Sequence, residues 1–257
     1  MPKEEVKAQS EPIIEVRDLV GGYEETVILD GVSFDIRRGE IFSILGGSGC
    51  GKTTLLRYIV GLLEPFSGDV LIKGRSIVNA DEKELDEIRR SFGVMYQSGA
   101  LFGSMTVMEN LALQLEEFSN LPREAIELIC LGKLKLVGLE GSEDLMPAEL
   151  SGGMIKRVAI ARAMVFDAEI IFLDEPSAGL DPITSAEIDE LIKSLSRLLG
   201  ITFVLVTHEL ESILNVSDRV IVLDKSKKGI VETGDPRQLK EHSKNQFVHN
   251  FFNRKPG

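Results

Sequence analysis

The chain has 257 residues, with 29 Lys and Arg against 41 Asp and Glu, so its formal net charge is −12. This acidic balance argues against binding to DNA, RNA or anionic lipid, because each of those partners needs a basic surface. A hydrophobic content of 43% suffices for a substantial core and excludes an intrinsically disordered chain.

The sequence carries no segment typical of export or membrane insertion. Its apolar runs, such as residues 170–173 and 203–206, are far shorter than the roughly 18 residues that a membrane span needs. Residues 1–12 are charged and lack the apolar core of a signal peptide, so we predict a flexible tail there. Cys50 and Cys130 form no CxxC pair, which favours a reducing compartment. We therefore expect a soluble, cytosolic, globular protein.

The first third of the chain reads as short strands followed by a strand, loop and helix. Turn residues separate β-like segments at residues 13–20, 32–36 and 70–72. The apolar run at residues 40–45 ends in glycines, and residues 52–63 then carry apolar side chains at helical spacing. A buried strand therefore leads through a Gly-rich loop into a helix.

The middle of the chain, residues 97–164, reads as mostly helical. Before it, residues 81–90 are so densely charged that they indicate a solvated helix face. Thr106 and Glu109 fit a capping box that opens a helix through Phe118, and residues 122–137 form another helix.

The last third of the chain alternates strands with a helix. We predict strands at residues 169–173, 202–206 and 219–223, with a helix over residues 188–199. Strands alternating with helices predict an α/β protein with a largely parallel sheet and a helical insertion in the middle of the chain.

Residues 46–53, GGSGCGKT, match the phosphate-loop pattern GxxxxGK[ST] between a predicted strand and a predicted helix. Glycines let backbone N–H groups surround phosphates, and the helix directs its positive end at the same charge. Lys52 would reach the β- and γ-phosphates, and the Thr53 hydroxyl would bind Mg²⁺. We assign nucleotide binding to Gly46, Gly47, Ser48, Gly49, Cys50, Gly51, Lys52, Thr53 and Thr54.

A second motif ends the predicted strand at residues 170–173 with two adjacent carboxylates. Ligands bind at the carboxyl edge of open α/β sheets, which is where this strand delivers Asp174 and Glu175. We expect Asp174 to hold Mg²⁺ through water and Glu175 to act as general base on the attacking water.

Five further motifs, in the expected order, resemble those of the ABC ATPases. Residues 150–154, LSGGM, look like the signature segment, and residues 177–181, SAGLD, look like the D-loop. Gln97 resembles the Q-loop glutamine, His208 the switch histidine, and Tyr23 the aromatic residue that stacks on adenine. The resemblance covers residues 13–235.

This resemblance implies a P-loop NTPase of RecA-like α/β core, with a small antiparallel β subdomain and a helical subdomain at about residues 97–164. The ATPase domain would span residues 13–240, followed by a C-terminal extension over residues 241–257. It implies ATP and Mg²⁺ as ligands, and a head-to-tail dimer of two copies that sandwich two ATP molecules. The catalytic residues would be Glu175, His208, Lys52 and Gln97; the Mg²⁺ ligands Thr53, Gln97 and Asp174; and the further nucleotide contacts Tyr23, Ser151, Gly152, Gly153 and Asp181.

Two motifs differ from the usual ABC ATPase sequences and resemble those of the ATPases of Mla/Mce-type lipid transport systems. These are QSGALF at residues 97–102 and Met154 in the signature segment; QFVHNFF at residues 246–252 is similar to their terminal extension, less distinctly. The resemblance implies phospholipid transport between inner and outer membranes, driven from the cytoplasmic face of the inner membrane. An integral membrane permease would dock on the segment from Gln97 to Asn110, through a groove at Ala100, Leu101 and Phe102. An Mce-domain lipid-binding protein would complete the complex, and no nucleic acid would bind.

Three alternatives stay open at this stage. Another ABC importer or exporter would share all the ATP chemistry, and a soluble ABC ATPase such as an iron–sulfur assembly factor would need no permease groove. A regulatory module that binds nucleotide without hydrolysing it is the third, and Lys52, Asp174, Glu175 and His208 argue against it.

Overall fold

The computed structural model describes residues 12–255, which form ten strands and nine α-helices. Residues 1–11, most of the predicted tail, lie outside the described residues. In chain order the elements are β1 (Pro12–Tyr23), β2 (Thr26–Arg37), β3 (Ile41–Gly46), α1 (Lys52–Ile59), β4 (Ser67–Ile72), β5 (Arg75–Ser76), α2 (Glu82–Arg89), β6 (Phe92–Met95), α3 (Val107–Phe118), α4 (Arg123–Leu136), α5 (Gly152–Ala163), β7 (Ile170–Asp174), α6 (Pro182–Leu199), β8 (Thr202–Val206), α7 (Leu210–Val216), β9 (Arg219–Asp224), β10 (Gly229–Gly234), α8 (Pro236–His242) and α9 (Gln246–Phe252).

The strands form two sheets. One is antiparallel, in the order β2-β1-β4-β5, and the other runs β10-β9-β3-β8-β7-β6. In the second sheet all pairs are parallel except β10 with β9. Every residue of β3, β7 and β8 is buried, which explains their unbroken apolar sequences: both faces of a parallel sheet are covered.

Three helices, α3, α4 and α5, lie between β6 and β7 along the chain. The predicted capping box opens α3, with Thr106 and Glu109 each accepting a backbone N–H of the other. Buried residues from α3 and α4, among them Leu111, Leu115 and Leu134, pack in one core with α5. The predicted fold class is therefore confirmed. Within residues 12–255, no helix has both the length and the apolar character that crossing a membrane requires.

The structure differs from the sequence-based elements in several places. Helix α1 ends at Ile59, not near residue 63, because Gly61 adopts φ +68° and Leu62 N–H turns back to the Arg57 carbonyl at 2.8 Å. Strand β1 already includes Pro12, the last residue of the predicted tail. Strands β6 and β10 and helix α7 were not predicted; β6 and β10 lack the unbroken apolar runs that mark β3, β7 and β8.

The end of the chain packs on its own sheet. Val248 and Phe252 of α9 are buried against Leu210, Ile213 and Val222. The predicted boundary at residues 240–241 falls inside α8.

Arg219 joins the two sheets. Its guanidinium, at the start of β9, donates to Glu40 Oε1 at 2.7 Å and to Asp35 Oδ2 at 3.0 Å, and lies 5.3 Å from the centre of the Phe42 ring. Burial lowers the pKa of Arg219, but its hydrogen bonds to Glu40 and Asp35 outweigh burial and raise that pKa. Glu40 is itself only 9% exposed, so Arg219 pairs with a nearly buried carboxylate.

We expect Arg219→Met to lower the free energy of unfolding by about 2–4 kcal/mol, because it leaves the buried Glu40 carboxylate without its cationic partner and with only the Arg37 N–H as donor. Urea denaturation followed by circular dichroism measures this change. Arg17→Met is the matched control: Arg17 pairs with Glu15 on the surface, where water screens the pair, so its loss should leave the denaturation midpoint nearly unchanged. Equal losses in the two variants would contradict the role given to Arg219.

Candidate functional site

The loop at residues 46–53, here called the phosphate loop, follows directly from β3. A Cβ atom on Gly46 would lie 2.5 Å from both Cys50 Sγ and the Leu223 carbonyl oxygen, so only glycine fits there. Gly51 has φ +100° and is the residue from which α1 begins. Both constraints come from how tightly the chain turns from strand to helix.

The Lys52 side chain curls back over the phosphate loop. Its Nζ donates to the carbonyls of Gly46 at 2.8 Å and Gly47 at 3.1 Å. Ser48, Gly49 and Thr53 are exposed, whereas Cys50 is buried and burial raises the pKa of its thiol. The loop thus offers an ammonium group, exposed hydroxyls and the N-terminus of α1 to an anion.

Tyr23 lies beside this helix, at the end of β1. Its hydroxyl is 3.3 Å from Thr54 Oγ1 and accepts a hydrogen bond from Arg57 Nη1 at 3.3 Å. The residue is 44% exposed. The sequence-predicted aromatic residue is therefore next to the phosphate loop and open to solvent.

Strand β7 brings the two predicted carboxylates to the same sheet edge. Asp174 is opposite Val206 of β8, and the Glu175 N–H donates to the Val206 carbonyl at 2.7 Å. Glu175 has φ +51°, a strained conformation for a non-glycine residue. Burial, then the charge of Glu175, raises the pKa of Asp174. A bound cation would relieve this cost of two adjacent acids.

His208, just beyond β8, completes this cluster. Its Nδ1 lies 2.7 Å from Glu175 Oε1, within hydrogen-bond distance. Glu175 Oε2 is buried and has no hydrogen-bond partner among residues 12–255. One carboxylate oxygen is therefore fixed by His208, and the other is a free acceptor.

The predicted Mg²⁺ ligands supply oxygen only. Asp174 carries a carboxylate, and Thr53 and Gln97 are exposed residues with a hydroxyl and an amide. Mg²⁺ keeps several waters and takes few protein ligands beside substrate phosphates, so this donor set suits it. Residues 12–255 accordingly hold no cluster of three His, Cys, Asp or Glu side chains that could bind a metal alone.

The signature segment packs against the D-loop of the same chain. Ser151 caps α5, its Oγ accepting from Met154 N–H at 3.2 Å, and a Cβ on Gly153 would lie 2.5 Å from Thr184 Cγ2. Asp181 caps α6, and hydrogen bonds from the Thr184 hydroxyl and backbone lower its pKa. The exposed Gly152 packs near Leu180 of the D-loop.

The structure thus gathers only part of the predicted site. The phosphate loop, Asp174, Glu175 and His208 share one sheet edge, with Tyr23 beside them. Within the described part of the chain, no hydrogen bond joins Ser151, Gly152, Gly153 or Asp181 to the phosphate loop.

Two residues of α5 that the sequence analysis overlooked hold the segment at residues 97–100. Lys156 Nζ donates to the Gln97 carbonyl, and Arg162 donates to the carbonyls of Gly99 at 2.8 Å and Ala100 at 2.6 Å. Both basic residues are buried in a helix that is otherwise mainly small and apolar. A charge on an apolar helix face was the signal that could have revealed them.

A groove of about 410 Å³ lies between the parallel sheet and the helical segment. Exposed Leu62, Tyr96 and Phe118 line it, together with Arg89 and Arg90. The predicted groove residues Ala100, Leu101 and Phe102 do not line it, although Phe102 is exposed nearby along the chain. Asn110 fixes that segment by accepting from Phe102 N–H and donating to its carbonyl.

Comparison with known proteins decides the family, since the pattern described as "ABC transporter" matches residues 29–178. The chain belongs to the ABC transporter family. It is 40% identical to MlaF of Haemophilus influenzae, an intermembrane phospholipid transport ATP-binding protein, over 88% of this chain and 85% of MlaF. It is 41% identical to the spermidine/putrescine import protein PotA of Mannheimia succiniciproducens, over 95% of this chain but 63% of PotA.

Among solved structures, the chain is similar to the cassette MJ0796, captured as a dimer with ADP and Pi after hydrolysis. The TM-score is 0.77 at 32% identity, over 86% of this chain and 98% of that one. This chain is therefore an ABC ATPase that uses ATP with Mg²⁺, as its sequence predicts.

We expect Gly153→Ala to destabilise this ABC ATPase by about 1–3 kcal/mol, because the new methyl group meets Thr184 Cγ2. Adding Thr184→Ser, which removes that methyl group but keeps the hydroxyl bond to Asp181, should recover at least about half of the loss. Thermal unfolding monitored by calorimetry measures both.

The control is Gly132→Ala in α4, where a Cβ meets nothing within 4 Å. It should raise stability by about 0.5–1 kcal/mol through helix propensity alone. If Thr184→Ser gives no recovery, the contact between the signature segment and α6 does not have the importance given to it.

Proposed function

We propose that this chain is the ATP-hydrolysing subunit of a transporter that moves phospholipids between the inner and outer membranes. The observation that carries the hydrolysis part is the geometry of Glu175. His208 fixes one of its oxygens at 2.7 Å, and the other is buried with no hydrogen-bond partner among residues 12–255. A carboxylate so placed can accept a proton from an attacking water.

The remaining roles are proposed from the resemblance to the ABC ATPases, and position in the fold supports them. Lys52 and the phosphate-loop N–H groups hold the β- and γ-phosphates, and Tyr23 stacks on the adenine. Asp174, Thr53 and Gln97 hold Mg²⁺, which supplies charge neutralisation on the phosphate oxygens when it is bound with ATP. His208 orients Glu175 and contacts the γ-phosphate.

A second copy of the chain would complete each nucleotide site. The exposed Ser151 and Gly152, at the N-terminus of α5, are oriented by capping but are not hydrogen-bonded to the chain's own phosphate loop. The dimeric state of MJ0796 supports the inference that they meet ATP on the partner, in a head-to-tail pair, with Asp181 at the seam. ATP binding then closes the pair and hydrolysis reopens it.

The permease contact is proposed for the groove beside Tyr96 and for the adjoining segment from Gln97 to Asn110. Apolar side chains at Leu62, Tyr96 and Phe118 suit a helix with an apolar face. Arg89 is paired with Asp86, which leaves Arg90 to face an acidic residue of that helix. The chain would thus sit on the cytoplasmic face of the inner membrane, held there by the permease.

Two observations support the phospholipid substrate: the QSGALF and LSGGM motifs, and the similarity to MlaF over 85% of that protein's length. An Mce-domain protein is proposed as the lipid-binding partner on the same grounds. The second candidate is an importer of another substrate, supported by the 41% identity to PotA.

We expect Glu175→Gln to lower kcat for ATP hydrolysis at least about 100-fold, because the amide cannot take the proton from water. ATP binding should persist and an ATP-bound dimer should accumulate, as measured by light scattering after gel filtration. Glu211→Gln, which alters an exposed ion pair with Arg254, is the control and should hydrolyse normally. Hydrolysis unchanged in Glu175→Gln would overturn the proposed site.

Capture of the native membrane complex through a tag on this chain tests the substrate. Mass spectrometry should find a permease, an Mce-domain protein and enriched phospholipid. Leu62→Glu, in the groove, should lower the captured amount of the permease, the Mce-domain protein and the phospholipid at least about tenfold, since a buried carboxylate at the contact is costly. Leu128→Glu, on the exposed surface of α4, should leave all three amounts unchanged. A complex without phospholipid, carrying a polyamine-binding subunit, would favour the importer instead.

A further inference from the structure

A buried lysine joins three segments of this ABC ATPase. Lys156 lies in α5, just beyond the signature segment, and is only 5% exposed. Its Nζ donates to the carbonyl of Gln97 and, at 3.2 Å, to the carbonyl of Glu175. One ammonium group therefore ties the helix of the signature segment to both the Q-loop glutamine and the hydrolysis site.

Packing alone does not account for a lysine at this position. Burial lowers the pKa of Lys156, while Glu175, Asp174 and Glu209 supply the opposing negative charge. An unbranched apolar side chain of similar length would fill the same space without the desolvation cost of an ammonium. What the lysine adds is a pair of directed hydrogen bonds to two backbone segments that are far apart in sequence.

A comparison with Arg162 shows what the hydrogen bond from Lys156 to the Glu175 carbonyl adds. It lies in the same helix and holds the carbonyls of Gly99 and Ala100, so α5 is fixed to residues 97–100 at two points. Of these two basic residues, Lys156 is the one that also donates to the backbone of Glu175. A displacement of α5 at its signature end would thus be transmitted through Lys156 to Gln97 and Glu175 together.

We propose that Lys156 is a positioning residue that aligns Gln97 and Glu175 when the signature segment at the start of α5 engages ATP on a second chain. This inference rests on the roles proposed above for those two residues and for the dimer. Lys156 acts through their backbone, so its contribution appears in the hydrolysis step and not in the capture of ATP.

The test compares Lys156→Met with Lys156→Arg in the full chain. The methionine keeps the apolar stem but removes both hydrogen bonds, so kcat should fall about 10- to 100-fold while KM for ATP stays within about twofold. ATP-bound dimer should accumulate, as is expected for Glu175→Gln. Arginine retains donors for both carbonyls and should keep kcat within about threefold of wild type.

Lys133→Met is the matched control, because Lys133 is another largely covered lysine of the helical segment, paired with Asp167. Its kcat should stay within about twofold of wild type. A wild-type kcat in Lys156→Met would overturn the proposal. So would a loss of ATP binding equal to the loss of kcat, or a failure of arginine to restore the rate, since either indicates a purely structural role.

Glu175→Gln, measured in the same assay, separates this inference from the proposed function. If that variant hydrolyses ATP normally, the proposed site itself fails. If it is inactive while Lys156→Met is fully active, only the role of Lys156 fails. Should thermal unfolding show that Lys156→Met does not fold, Lys156→Gln replaces it. That uncharged and shorter side chain should cost at least about fivefold in kcat, and a wild-type rate would again overturn the proposal.

Discussion

Strands β3, β8 and β7 pair in parallel and end at one edge of the six-stranded sheet, and the candidate site depends on that pairing. It places Gly46, at the end of β3, on the same side as Asp174 at the end of β7. The hydrogen bond from Glu175 N–H to the Val206 carbonyl carries the pairing one residue beyond β7. That bond holds Glu175 in its strained conformation, within reach of His208. A slip in register would separate the phosphate loop from the acids.

Around this edge the protein keeps charged groups in places that weaken its fold. Burial and the neighbouring Glu175 raise the pKa of Asp174, and burial lowers the pKa of Lys156. Glu175 adds backbone strain and a carboxylate oxygen without a partner in the described part of the chain. Strain and unpaired buried charges of this kind are typical of sites where a bound ligand stabilises them. By contrast, the Arg219 junction stabilises the two-sheet framework from outside the site.

Much of the fold and of the site could be predicted from local sequence. The phosphate loop was predictable because its glycines and Lys52 act within a single turn of chain, and the same holds for the capping residues Thr106 and Ser151. The helix end at Ile59 was not, because apolar periodicity continues to Leu63 while Gly61 breaks the helix. Lys156 was missed because its partners lie 59 and 19 residues away, and only the tertiary fold brings them together. The groove beside Tyr96 is likewise built from four separate segments.

The central claim is that ATP is bound between two copies of this chain, with Ser151 of one copy completing the phosphate site of the other. A crystal structure of the Glu175→Gln variant with ATP and Mg²⁺ tests it most directly, through the distance from Ser151 Oγ to the nearest γ-phosphate oxygen. The account predicts a head-to-tail dimer in which this distance is that of a hydrogen bond, about 2.5–3.0 Å, across the interface. ATP contacted by one chain only, with Ser151 remote from every phosphate, would contradict it.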